Sequence, residues 1–241
     1  MDAPRLFGSP DAWQSWRRGV DFYDEGLLLW LDVDGIIREQ TNGRRSLDDF
    51  CRRFHGGRGG APSVRSYTFD DVVGTLNEVA AYDWRGYLSR RLTATTPRAP
   101  LDGILRSGWR LQYADTITEY ERAMTKSRES TDLSWSLGFS LGKDGVMGDV
   151  IEDSPAARAG IGPGMKLLAV NGRRWTEEAM GDALRAAARD RKAIELLVAN
   201  GDFYRTHRVR YTDGPRHPRL VRDPAREDRL TKLLSPRSPK R

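Results

Sequence analysis

Ser136-Leu137-Gly138-Phe139-Ser140-Leu141 opens the most informative stretch of this chain. Val150 follows, then Ser154-Pro155-Ala156-Ala157-Arg158-Ala159-Gly160, Gly162-Pro163-Gly164 and Leu167-Leu168-Ala169-Val170-Asn171-Gly172. Phe139 to Leu141 and Lys166 to Val170 read as strands. Ser154 is an N-cap residue ahead of a proline suited to the first helical position, and Gly160 supplies the C-terminal stop, which predicts one tight helix. Asn171-Gly172 and Asn200-Gly201 are tight-turn signals between apolar runs. Working outward, the alternation of Trp109-Arg110-Leu111-Gln112-Tyr113 predicts a leading strand, and Ile194 to Val198 and Phe203 to Tyr211 predict two more. Thr176 caps a second helix, whose Met180, Leu184 and Ala187 share one face. This half is therefore expected to be a small, mostly antiparallel β domain with two helices.

The preceding residues carry a different period. After Trp13 and Trp16, the stretch Asp21 to Thr41 places Tyr23, Leu27, Trp30 and Ile37 at helical spacing, and Asn42-Gly43 is a stop signal. Ser46-Leu47-Asp48-Asp49 has the form of a capping box ahead of Phe50 and Phe54, and Thr68-Phe69-Asp70-Asp71 repeats it ahead of Val72, Leu76 and Val79. Asp83 is placed to cap a further helix carrying Trp84, Tyr87, Leu88 and Leu92. Thr93 to Pro100 reads as a linker. The predicted class is α+β: helices over 1–95, a linker and leading strand over 96–133, the β domain over 134–212 and a basic tail over 213–241.

Composition narrows the function classes. The chain has 241 residues with 40 basic and 34 acidic side chains, a formal charge of +6. The surplus is local, because 205–241 hold 12 Lys/Arg against 4 Asp/Glu. These are mostly arginines separated by proline, aspartate or apolar residues rather than clustered with aromatics, and no zinc-finger spacing accompanies them, so nucleic acid is not the expected partner. The longest apolar run, Leu27 to Leu31, is far short of the roughly 20 residues of a membrane-spanning helix. The opening MDAPRLFGSP lacks the basic-then-apolar pattern of a signal peptide, which leaves the compartment undecided. A lone cysteine, Cys51, excludes an internal disulfide framework.

Few residues suit catalysis directly. The histidines are His55, His207 and His217, and none falls in HExxH or a comparable spacing. Cys51 sits beside Phe50 and Phe54 and is expected as a core thiol. The glycine-rich loop Gly56 to Gly60 lacks the Lys-Ser/Thr that ends a phosphate loop. The carboxylate pairs Asp24/Glu25 and Asp48/Asp49 point to different sides of their helices, as caps and solvated faces do.

The order of motifs from Ser136 to Gly172 resembles a PDZ domain of the bacterial type, over residues 134–211. It departs at Met165-Lys166, where such domains usually carry an acidic residue. The resemblance implies a groove that binds peptide or protein C-termini: an extended peptide adds a strand to a sheet edge, and loop amides hold its terminal carboxylate. Leu137, Gly138 and Phe139 would form that loop, with Gly138 allowing close backbone approach and Phe139 lining the pocket. Met180 and Leu184 would form the facing helical wall. A unit that docks only on its own protein is equally compatible with the sequence.

Asp21-Phe22-Tyr23-Asp24-Glu25-Gly26, Ile37-Arg38-Glu39 and Gly43 to Phe50, taken with Asn200 to Arg205 and the closing Asp228-Arg229-Leu230, resemble the C-terminal portion of the glycyl aminopeptidase family. These are zinc peptidases that end in a PDZ domain. The resemblance implies that the helical segment belongs to a thermolysin-like catalytic domain that removes N-terminal glycine or alanine. It places Tyr23 as a phenol donating to the oxyanion formed as water attacks the carbonyl. The family's zinc helix and third ligand have no counterpart in these 241 residues, so this chain is expected to hold no cofactor itself, zinc belonging to a full-length relative. It is expected to be either part of a longer peptidase, partnered by its N-terminal half, or a truncated relative acting as a non-enzymatic PDZ-type peptide-binding or scaffolding protein.

Overall fold

The computed structural model describes residues 22–56, 64–96 and 99–236. Trp13, Trp16 and most of the glycine-rich loop lie outside the described residues. The molecule is α+β, and its described residues divide into two units: Gln112–Arg219, and 22–111 together with those from Leu220 onward.

The first unit along the chain is helical. Helix α1 (Phe22–Gln40) stops where predicted: Asn42 and Gly43 take positive φ, and the Gly43 amide returns to the Arg38 carbonyl at 2.7 Å. Its burial differs from the expected stripe. Tyr23 and Leu27 are exposed, whereas every residue from Asp32 to Ile37 is buried, two carboxylates included. Helix α2 (Leu47–Phe54) starts with the Ser46 amide on the Asp49 carboxylate at 2.9 Å, and α3 (Phe69–Val79) with the reciprocal Thr68–Asp71 box. Asp83 caps α4 (Trp84–Thr93) by accepting from the Gly86 amide. Val33, Ile36, Ile37, Phe50, Leu76 and Trp84 are at the centre of the core. Leu92, expected on the buried face of α4, is exposed. Cys51 is exposed too, because Phe50 and Phe54 stack on one another inward and the residue between them in sequence turns away from that face.

Asp32 is an acceptor at the centre of this unit. It takes the Tyr87 hydroxyl at 2.7 Å, the Arg106 Nε at 2.9 Å and an Arg91 nitrogen at 3.5 Å. Asp34 accepts the Leu47 amide and Arg38 Nε, tying α1 to the start of α2. Arg106 ends a helix absent from the sequence reading, α5 (Asp102–Arg106), which follows the Thr93–Pro100 stretch. It packs so closely on α1 that a Cβ on Gly103 would lie 2.5 Å from the Asp32 amide nitrogen.

Strand β1 (Trp109–Ala114) is the predicted leading strand. Helix α6 (Glu119–Arg128) and strand β2 (Ser130–Asp132) come next, both unanticipated. Then follow β3 (Phe139–Gly142), β4 (Met147–Val150), α7 (Pro155–Arg158), β5 (Lys166–Val170), β6 (Arg173–Arg174), α8 (Glu177–Asp190), β7 (Ile194–Asn200), β8 (Phe203–Val209) and β9 (His217–Arg222). The sheets have the orders β2-β3-β4 and β6-β5-β7-β8, all pairs antiparallel, and β1 pairs with β9. Ser154 caps α7 with Pro155 at its first turn, and Asn171-Gly172 turns β5 into β6 with both residues at positive φ. The core joins Phe139, Leu141, Leu167, Met180, Leu184 and Leu196.

The segment read as a basic tail carries structure. Beyond β9, Asp228 caps α9 (Arg229–Leu234) and accepts the Trp109 indole N–H at 2.9 Å, while the Arg229 and Leu230 amides both reach the Ser107 carbonyl. Three of its described arginines are occupied: Arg219 donates to the Thr116 carbonyl, Arg222 to that of Gly108, and Arg229 pairs with Glu227. Among the described residues no helix is long and apolar enough to cross a membrane.

Candidate functional site

Five of the six residues singled out from sequence are brought together in the unit Gln112–Arg219. Leu137, Phe139, Met180 and Leu184 are all buried to within 2% of full coverage. Gly138 sits between them in the loop from Leu133 to Phe139, with φ +90°, and a Cβ there would fall 2.0 Å from the Ser154 Cβ. Only glycine satisfies both demands. The loop is fixed from behind: its Leu137 carbonyl accepts the Ala156 amide and its Gly138 carbonyl the Ile151 amide. The predicted cap of α7 thus braces the predicted loop.

The front of the loop is also engaged. The amides of Ser136, Leu137 and Gly138 converge on the Leu133 carbonyl at 3.1, 2.9 and 2.9 Å, and the Leu133 amide donates to the Phe139 carbonyl at 2.9 Å. Upstream, β2 pairs with β3 in the register Ser130↔Gly142, Thr131↔Leu141, Asp132↔Ser140. The Thr131 hydroxyl donates to Glu177, the first residue of α8, at 2.8 Å. Leu133 and Thr131 are not indicated by the sequence, which marks Glu177 only as the start of the wall helix. The available signal was weak: three residues of strand, Ser130 to Asp132, too short for a period to show.

Beyond Thr131 and Glu177 opens a cleft of about 870 Å³, edged by the cations Arg122, Lys126, Lys143 and Lys166. Lys143 is paired with Glu129 at 2.5 Å. His207 is held by its Nδ1 on the Ala159 carbonyl at 2.8 Å, so that nitrogen carries the proton; it pins β8 to the end of α7.

Tyr23 belongs to the helical unit. It lies in the first turn of α1, 70% exposed, its ring 4.5 Å from that of Phe22. Among the described residues no cluster of three or more His, Cys, Asp or Glu is arranged to hold a metal. The described residues therefore offer no donor set for the zinc that the family resemblance calls for.

No protein-family model matches the chain, and no curated protein matches it in sequence. Among solved structures, an aminopeptidase N family protein from Idiomarina loihiensis is similar over 92% of this chain, at 16% identity and a TM-score of 0.55. An HtrA3 PDZ domain crystallised with a phage-derived ligand, FGRWV, aligns over 47% of this chain and 91% of that domain, at 19% identity and a TM-score of 0.23. This chain spans 40% of the length of the aminopeptidase N family structure, with which it shares a fold.

Proposed function

We propose that these residues are the C-terminal part of a glycyl-aminopeptidase-like zinc metallopeptidase, which removes N-terminal glycine or alanine from peptides. In this reading the helical unit is a portion of the catalytic domain and the unit Gln112–Arg219 contains its PDZ-type domain, residues 134–212. The observation that carries it is the extent of the fold likeness, which runs over 92% of the chain and so takes in helices and β unit together. A likeness confined to the β unit would speak for a PDZ-type module alone. Tyr23 is assigned as the oxyanion donor: its phenol stands at the exposed start of α1, and a donor aimed at developing negative charge acts mainly in the transition state.

The peptidase reaction needs ligands that the sequence lacks, since its three histidines form no HExxH. The 241-residue chain incubated with zinc is therefore expected not to hydrolyse glycyl or alanyl anilides; chelator-sensitive turnover by the purified chain would overturn that. An antibody raised against Gln112–Arg219 is expected to detect, in the source cells, a polypeptide well above 27.3 kDa. A single band at that mass would replace the peptidase reading with a non-enzymatic scaffold.

A further inference from the structure

The loop that would hold a peptide carboxylate already holds something. Three backbone N–H groups converge on the one carbonyl oxygen of Leu133. These are the bonds of the turn over 134–137 that Gly138 closes at positive φ, and they leave the Ser136, Leu137 and Gly138 amides directed at this oxygen. The Leu133 amide answers the Phe139 carbonyl, as the last residue of an added strand would. Strand β2 runs antiparallel to β3 on the edge opposite β4, with its C-terminal end at the loop. Leu133 is 8% exposed and belongs to the core cluster of Leu137, Phe139, Met180 and Leu184. Asp132 faces out, and Thr131, next on the inner side, bonds the first residue of α8.

We infer that Thr131-Asp132-Leu133 is an internal ligand of the PDZ-type groove, standing where a free chain ending in Thr-x-Leu would stand. The inference deepens the PDZ-type reading of this unit and rests on it. The segment supplies each feature by which β-augmentation recognises a C-terminus: strand pairing, a terminal apolar side chain in a pocket, an alternate side chain on the helix wall, and an oxygen on the loop amides. Being tethered, it acts at an effective concentration on the order of millimolar. A peptide of the same chemistry arriving from solution is outcompeted below that level, so the groove serves as an internal joint unless β2 is released.

The test uses labelled Ser-Thr-Asp-Leu peptide, as free acid and as amide, with the full chain and a Thr131→Pro/Leu133→Ala variant. The variant removes the hydroxyl, the amide at 131 and the pocket side chain. The unaltered chain is expected to bind neither peptide below about 1 mM, and the variant to bind the free acid at least about tenfold tighter than the amide. Equal binding by the unaltered chain and the variant would overturn the internal ligand and leave the groove reading standing. No binding by a variant with the circular dichroism of the unaltered chain would overturn both. If the variant does not fold, hydrogen exchange on the unaltered chain decides: the Leu133, Leu137 and Gly138 amides are expected to exchange at least about 100-fold slower than an unstructured chain, and free exchange there would overturn the inference.

Discussion

Tyr87 shows how one buried polar contact sets a pH dependence. Burial and then the hydrogen bond to Asp32 push its hydroxyl well above the ordinary tyrosine range. The unfolded chain releases this proton near pH 10 while the folded one keeps it, so the contribution is fully present below about pH 10 and is lost as pH rises further. Unfolding free energy is expected to fall above about pH 10, by at most about 1.4 kcal/mol per pH unit from this group, and Tyr87→Phe should flatten that fall. Urea titrations of both proteins between pH 8 and 11 check this; parallel curves would reject it. Tyr23 is the opposite kind of residue, an exposed phenol with nothing structural to lose. If the chain is part of a zinc peptidase as proposed, Tyr23→Phe in the zinc-loaded whole enzyme should lower kcat about 100-fold with little change in KM, and equal losses in both would reject the oxyanion role. Gly138 and Ser154 were legible because each answers a local demand, a positive φ or a helix start. The buried Asp32 was not, since its partners Tyr87 and Arg106 lie in other helices.

At the scale of elements, the sequence announced what its own caps and turns specify. The Ser46, Thr68, Asp83, Ser154 and Thr176 starts are all present, as are the strands β5, β7 and β8. Elements defined by what they pair with escaped. Strand β2 has three residues and depends on β3, and α6 buries no residue fully, so neither shows a stripe. Thr118-Glu119-Tyr120-Glu121 does spell a capping box, and the Glu121 carboxylate receives the Thr118 amide at 2.9 Å; without an apolar run behind it the signal passed unread. Helix α5 was hidden for another reason, because its fit depends on the absence of a side chain. A Cβ at Gly103 would strike the α1 backbone, which cannot yield as a side-chain tip can. Gly103→Val is therefore expected to cost at least about 2 kcal/mol by forcing α5 from α1 and loosening Arg106 from Asp32. Loss below about 0.5 kcal/mol in urea unfolding would mean that α5 is only laid over the surface.

For the whole chain, the reading of residues 213–241 as a solvated basic tail was drawn from composition, and composition is blind to where an arginine's partner lies. Many of the partners are backbone carbonyls. Arg222 donates to the Gly108 carbonyl at 2.6 Å, and the amides of Arg229 and Leu230 close on that of Ser107 at 3.0 and 3.2 Å. The last described helix is thus stitched to the residues that join α5 to β1, although more than a hundred residues separate them in sequence. A solvated tail and a stitched one make opposite predictions for truncation. Ending the chain at Arg226 removes the Asp228 acceptor from the Trp109 indole, both amides from Ser107 and the Arg229 guanidinium from Glu39. The helical unit should then melt at least about 5 °C lower, followed by circular dichroism at 222 nm. An unchanged midpoint on ending at Arg226 would return the segment to the surface as a charged appendage.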